Sequence, residues 1–340
     1  MLTFLTRAAG ALALAALVAS ALLAESIGEL RPKQVIQVGE TARLDKLPVV
    51  SSVALGPAGE ILATAGDDHL VRVWRTADGQ LARRLAGHTD WVRSVVVSPD
   101  GTRLASAGND RRLHLWSVSA EQPLATLTDH AHGIQALVFS PDSRRLAAAG
   151  FEGKVRLYEA SGQLAREFEA PGADMRALAF SPDGRWLAAA GRSGHVRVYD
   201  LASGAIARDL TGHARRVHAL AYSPDGAQLA SAGEDRSVRL WDAVTGQLLA
   251  TLPERPGRVL SLVFCGPGRL AAGGSDNLIR LWDLASGAEQ YRLIGHTGSI
   301  SALAWNPKTD QLVSGSFDTT VRVWQLDESL IRTTSRRRDP

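Results

Sequence analysis

Residues 212–242 read GHARRVHALAYSPDGAQLASAGEDRSVRLWD. The stretch opens on Gly212-His213, turns at Pro224-Asp225-Gly226, turns again before Asp235 and closes on Trp241-Asp242. Shifted along the chain, it matches itself repeatedly. The closing aromatics are Trp74, Trp116, Tyr158, Tyr199, Trp241, Trp282 and Trp324, spaced 41 or 42 residues apart. Within each copy the apolar residues come in short runs such as VRSVVV (92–97), RLASA (103–107) and RLHLW (112–116). Runs this short, punctuated by Gly, Pro, Asn and Asp, read as strands rather than helices. Each copy is a small antiparallel sheet that cannot bury both faces alone. Copies must stack, and a closed ring of seven removes the ends that an open stack would expose.

A period near forty, opening on Gly-His and closing on Trp-Asp, resembles the WD40 repeat, the four-stranded blade of a β-propeller. The resemblance runs from about residue 34 to residue 326. It implies an all-β fold, a seven-bladed β-propeller of four-stranded antiparallel blades. It also implies that each blade is entered by finishing the outer strand of the blade before. QVIQV (34–38) then completes the last blade beside residues 320–326 and closes the ring, a pairing of high sequence separation expected late in folding.

The chain has 340 residues, 45% of them apolar and 21% charged, as in ordinary globular proteins. A formal net charge of +3 is too balanced to point to nucleic acid. A single cysteine, Cys265, excludes an intrachain disulfide; it stands where other copies have Ser98, Ser181 and Ser223, as a small turn residue. Residues 8–24, AAGALALAALVASALLA, follow Arg7 without a charge and end near Ala19-Ser20-Ala21. This is the layout of a secretory signal or, if uncleaved, of a short membrane anchor. Arg7 stays in the cytoplasm in both cases, and the propeller lies outside it. No Cys near the cleavage site supports a lipoprotein anchor. The expected organisation is a signal peptide or anchor at 1–24, a linker at 25–33, the propeller at 34–326 and a basic tail at 327–340. The tail ends in Arg336-Arg337-Arg338, a solvated terminus or a contact for an anionic lipid surface. An Ala-rich export signal joined to a disulfide-free repeat points to a bacterial protein. It would be periplasmic or secreted, or anchored in the inner membrane with the propeller in the periplasm.

Three copies keep four polar or aromatic residues at fixed offsets: His88, Ser106, Asp110, Trp116; His213, Ser231, Asp235, Trp241; and His296, Ser314, Asp318, Trp324. A hydrolase needs one such set at a pocket, not three in register. The resemblance implies a structural role, a buried hydrogen-bond chain tying inner to outer strands, and buried indole, imidazole and carboxylate groups do need partners. Other copies depart from the pattern. Blade one has Thr64, Asp68 and Trp74; blade three has Asp129-His130, Glu152 and Tyr158; blade six has Glu254 at the His position, with Asp276 and Trp282. Blade four, with Pro171 at the His position and only Ser193 and Tyr199, is expected to be the least stable sector. Asp67-Asp68-His69 resembles a metal cluster but falls in a tight turn, His130 and His132 sit at a loop start, and Gly194-His195 has the wrong offset. No phosphate loop, C-x-x-C or H-E-x-x-H is present, so no metal or cofactor is expected.

Aligned copies place their variable residues on the narrow face around the central channel. Around the start of each inner strand fall Val49 and Ser51, Trp91 and Arg93, Gly133 and Gln135, Asp174 and Arg176, Arg216 and His218, Arg258 and Leu260, and Ser299 and Ser301. Ahead of the repeated Asp fall Asp67, Asn109, Phe151, Arg192, Glu234, Ser275 and Phe317. Arg176, Arg192, Arg216, His218 and Arg258 gather on blades four to six, while Trp91, Phe151 and Phe317 supply aromatics, and Arg and aromatics are favoured interface anchors. The expectation is a non-catalytic scaffold or recognition module that docks a protein or peptide there, an acidic or carboxylate-bearing segment. The rival is an enzyme or small-molecule sensor with its ligand in the central channel.

Overall fold

In every copy, apolar residues alternate with small or polar ones over five or six positions, and each such run is extended. A computed structural model describes residues 27–39 and 47–326; the proposed signal or anchor and the basic tail lie outside them. Among the described residues there is no helix, and so none long and apolar enough to cross a membrane. In blade one the strands Val50–Leu55, Ile61–Gly66, Leu70–Arg75 and Leu81–Ala86 are hydrogen-bonded in that order from the channel outward. Six further antiparallel sheets, with inner strands starting at Val92, Ile134, Met175, Val217, Val259 and Ile300, complete the seven-bladed propeller.

The apolar core lies between blades rather than within them. Each of seven clusters takes residues from two neighbouring blades; one joins Leu157 and Phe168 of blade three to Met175, Leu187 and Tyr199 of blade four. Second strands such as RLASAG (103–108) and QLASAG (228–233) are small-residue runs because the next blade's inner strand packs against them. A Cβ on Gly315 would lie 2.6 Å from Val50 and 2.7 Å from Val53 of blade one.

One local device recurs in all seven blades. The pairing of inner with second strand slips after the first residue, leaving Ser51, Arg93, Gln135, Arg176, His218, Leu260 and Ser301 as bulge residues. A bulge re-aims its side chain, and here the seven side chains turn toward the channel. Six of the bulges face a glycine that ends the second strand. At Gly233 a Cβ would sit 2.0 Å from the Arg216 carbonyl oxygen, so that position excludes any side chain.

The ring closes as the repeat resemblance implies. Gln34–Gln37 pairs antiparallel with Thr320–Gln325, Gln34 opposite Val323 and Gln37 opposite Thr320, as the outer strand of blade seven. Residues 28–30, inside the stretch read as a linker, form a further strand. Gly28–Leu30 pairs parallel to Glu289–Leu293, so blade six has five strands. The propeller has two faces. One carries the loops before the inner strands and the turns between second and third strands; the other carries the Ser-Pro-Asp-Gly-type turns. Both ends of the described chain lie on the second. Ile27 precedes a strand that runs with Glu289–Leu293 away from that face, and the Leu326 amide donates to the Asp310 carbonyl in its turn.

Candidate functional site

The repeated polar sets form closed chains within their blades. In blade five Trp241 Nε1 donates to Ser231 Oγ (2.8 Å), His213 Nε2 meets the same oxygen (2.7 Å), and His213 Nδ1 donates to Asp235 Oδ2 (2.8 Å). In blade two the corresponding distances are 2.9, 2.8 and 2.8 Å through Trp116, Ser106, His88 and Asp110. In blade seven they are 2.9, 2.7 and 2.8 Å through Trp324, Ser314, His296 and Asp318. A carboxylate accepting at Nδ1 makes Nε2 the acceptor of the serine proton, so every polar atom in the chain is used in one direction. Each carboxylate also accepts a loop amide, from Thr89, Ala214 and Thr297 respectively. Burial would raise the Asp235 carboxyl, but the His213 and Ser237 bonds outweigh it and hold it at about 2. The Ser231 side chain is fully buried, so no substrate reaches this hydroxyl.

The other blades fill the same space differently. Blade one keeps Trp74 Nε1 on Thr64 Oγ1 (2.9 Å) and pairs Asp68 with Arg72 (2.5 Å). In blade three Tyr158 donates to Asp129 (2.7 Å), and buried His130 lies between Tyr158 and Arg156, which pairs with Glu152 (2.7 Å). In blade four the Tyr199 hydroxyl donates to the Glu169 carbonyl (2.6 Å), and Ser193 only receives a turn amide from His195. In blade six the sequence register puts Glu254 at the His position, but Glu254 points to solvent and Arg255 takes the buried place. Its guanidinium lies 5.3 Å from the Trp282 ring and 3.7 Å from Asp276. Pro253 and Pro256 flank this loop and reset its path by one residue.

The Asp67-Asp68-His69 stretch is the turn expected: His69 has φ +66°, Asp68 is paired with Arg72, and Asp67 accepts the Val49 amide (2.9 Å). Among the described residues His88, Asp110 and His114 bring three ligand atoms within 4.8 Å of one another. Both ring nitrogens of His88 are already committed to Ser106 and Asp110, so this set lacks the free donors of a metal centre. Cys265 is fully buried, and burial pushes its thiol up to about 12, which leaves it inert.

The channel mouth is an open cavity of about 630 Å³. Of the residues read as a partner surface, Arg93, Arg176, Arg216, His218, Arg258 and Phe317 line it, whereas Trp91, Phe151 and Arg192 stand outside its lining. The arginines of blades four to six are not a free basic field. Asp174 takes Arg176 Nε on one oxygen (2.7 Å) and Arg216 Nη2 on the other (2.6 Å). Glu234 Oε1 takes Arg216 Nη1 (2.9 Å) and His218 Nε2 (3.3 Å), with Arg258 at 3.9 Å. Asp174 holds this position at φ +60°, a left-handed backbone that aspartate tolerates better than most residues and that no other blade uses at its matching residue.

Toward blades two and three the belt changes character. Arg93 stacks on Trp91, its guanidinium carbon 3.6 Å from the ring centroid, and donates from Nε to Asn109 Oδ1 (3.0 Å). Gln135 donates to the same Asn109 oxygen (3.3 Å) and accepts from Arg176 Nη1 (2.7 Å). Asp174, Glu234, Asn109 and Gln135 were visible only as variable positions. The signal that would have joined them is the period itself, since Asp174 and Arg216 stand one repeat apart and face each other across neighbouring blades.

Comparison with known proteins agrees with this architecture. The sequence matches the WD40 family, described as WD domain, G-beta repeat, in seven segments: 44–75, 79–117, 121–159, 162–200, 204–242, 246–283 and 287–325. It is also 48% identical over 42 residues to a probable serine/threonine-protein kinase PkwA of Thermomonospora curvata, a stretch covering 12% of this chain and 6% of that protein. The overlap is about one repeat long, so the chain spans only a small part of that protein's length. With matched repeats in all seven blades, the chain belongs to the WD40 repeat family.

Proposed function

We propose that the channel mouth is a recognition surface for a protein or peptide segment, and that the propeller performs no chemistry on it. WD40 propellers are typically scaffolds that bind proteins or peptides. The observation that carries the reading here is the row of seven bulge residues. The backbone device is the same in every blade, yet the side chains it turns into the mouth are Ser51, Arg93, Gln135, Arg176, His218, Leu260 and Ser301. A scaffold repeats what it needs for packing; a varied set on a repeated mount is what selective contact requires. The His, Ser and Asp sets that could suggest hydrolysis are sealed between strands and satisfied internally. We further propose that residues 8–24 direct the propeller out of the cytoplasm, as a removed signal or a retained anchor.

Photo-crosslinking tests the surface. p-Benzoylphenylalanine at Leu260 should capture a discrete protein in cells, while the same group at Leu249, half exposed on an outer strand, should not. Crosslinks from Leu249 alone, or from neither, would refute the assignment of the mouth. Protease accessibility of the propeller in spheroplasts, against intact cells, tests the compartment.

A further inference from the structure

Resting on the recognition reading above, the geometry points to a carboxylate subsite on the blade-two to blade-four side of the mouth, formed by Arg93 and Arg176 over Gln135. Its ligand is a carboxylate of a docked peptide segment, with an apolar group beside it. The blade-five and blade-six part of the basic cluster is the wrong place for this anion. Asp174 receives Arg216, Glu234 receives Arg216 and His218 with Arg258 nearby, and an incoming carboxylate would have to displace them; Arg176 also gives Nε to Asp174 but faces the Arg93 side through its other nitrogens.

Arg93 is different. Among the described residues no carboxylate lies within 4.0 Å of its guanidinium, and its side-chain hydrogen bond is the one from Nε to Asn109. Both terminal nitrogens remain as donors, and their planar fork matches a carboxylate. The group is half buried and cannot retreat into solvent, because Trp91 stacks against one face and Asn109 holds Nε. Arg176 has Nε on Asp174 and Nη1 on Gln135, which leaves Nη2. The Asn109–Gln135 link connects the two arginines, so their separation is set by hydrogen-bonded side chains rather than by free rotamers. Two cations fixed near one another repel. Burial first and then the positive charge of Arg176 depress the Arg93 guanidinium, only partly offset by the carboxylate of Asp90, and an anion received by both arginines relieves that repulsion. The apolar component follows from Phe151, just outside the mouth's lining and 41% exposed, with the Arg176 guanidinium carbon 5.1 Å from its ring centroid. A carboxylate on the guanidinium forks leaves a neighbouring apolar group free to cover that ring.

Nuclear magnetic resonance with ¹⁵N-arginine labelling reads this site directly. N-acetylphenylalanine stands for a chain-terminal carboxylate, N-acetylglutamate amide for a side-chain carboxylate, and N-acetylphenylalaninamide for neither. At least one of the two acids should shift the Arg93 Nε–H signal saturably, and the neutral amide should not; which acid binds tighter identifies the source of the carboxylate. Arg93→Gln should weaken that acid by about tenfold or more, and Arg258→Gln by less than about twofold. Arg93→Lys keeps the charge but loses the fork and should fall between, with an unchanged melting midpoint showing that the variant is folded. Shifts centred on Arg258 or Arg216, or equal binding of the neutral amide, would overturn the assignment. A partner crosslinked at Leu260 whose capture neither acid competes away would defeat this subsite and leave the recognition surface standing. Saturable binding at Arg93 with no partner crosslinked would do the reverse.

Discussion

Asp174 of blade four accepts Arg216 of blade five at 2.6 Å, one repeat length away in sequence and across the gap between two blades. The aspartate is one-tenth exposed and the arginine about one-quarter, so solvent screens the pair only partly. Asp174→Asn keeps the side-chain shape and the tolerance for a left-handed backbone but removes the charge. We expect it to lower stability by about 1–2 kcal/mol, measured as a shift in the denaturant midpoint at constant slope. A double-mutant cycle with Arg216→Gln should return a coupling of about 1 kcal/mol. Additive effects would show that the two side chains meet without holding the blades together.

Acid should weaken the fold in two stages. His114, His130, His218 and His296 are all held below the ordinary imidazole range, in each case by burial first, and His114 is lowered to about 4. A histidine buried in its neutral form favours folding above its unfolded value of about 6.5, and that contribution is lost as the pH falls below it. The depressed carboxylates Asp235 and Asp318 keep their contribution down to about 3.9 and lose it only below that. The denaturation midpoint should therefore decline from about pH 6.5 downward and more steeply below about pH 4. His114→Gln should flatten the first stretch, and a midpoint constant from about pH 7 to about pH 5 would contradict the assignment.

Arg255 and Arg280 share Asp276 but are expected to respond oppositely to removal. Arg280 pairs with Asp276 and, at 3.3 Å, with Glu289. Arg255 is 3% exposed, leaves Nε and Nη1 without hydrogen-bond partners among the described residues, and is lowered to about 10, burial being the main cause. Replacing an incompletely paired buried cation by an apolar side chain is often neutral or favourable. Arg255→Met should leave the melting midpoint unchanged or raise it. Arg280→Met leaves Asp276 with Arg255 at 3.7 Å and Glu289 with Arg292 at 2.6 Å, removes the closest partner of the more buried Asp276, and should cost about 2–3 kcal/mol.

Blade four lacks the His–Ser–Asp chain and relies on Tyr199, bonded to one carbonyl and packed 4.8 Å from Phe168. Hydrogen exchange should open amides of Val196–Asp200 before those of Val238–Asp242, the matching strand of blade five. Earlier exchange in blade five would show that interblade packing, not the polar chain, sets local stability.

The repeat made the fold legible. Seven aromatics at even spacing, and the offsets among His213, Ser231, Asp235 and Trp241, located the strands and the buried chains. It was less informative where one blade meets the next. Arg176, Arg216 and Arg258 read along the chain as a basic cluster because the carboxylates between them, Asp174 and Glu234, belong to separate variable positions. Only the curvature of the ring brings them into contact. Arg255 escaped for a local reason: its proline-flanked loop slips by one residue relative to the other copies, so register alone selected Glu254. Gly28–Leu30 escaped because three residues are too few for an alternating pattern to show, and their partner strand is about 260 residues away.

Ile27 and Leu326 both leave the ring on the side opposite the arginine-lined mouth. Three residues, 25–27, separate the apolar stretch from the edge of blade six, a reach of about 10 Å at full extension. If residues 8–24 are retained as the anchor proposed above, the mouth looks away from that attachment. The same geometry serves an experimenter: a sensor surface, resin or fluorescent group joined at Ile27 or Leu326 starts on the face opposite the opening.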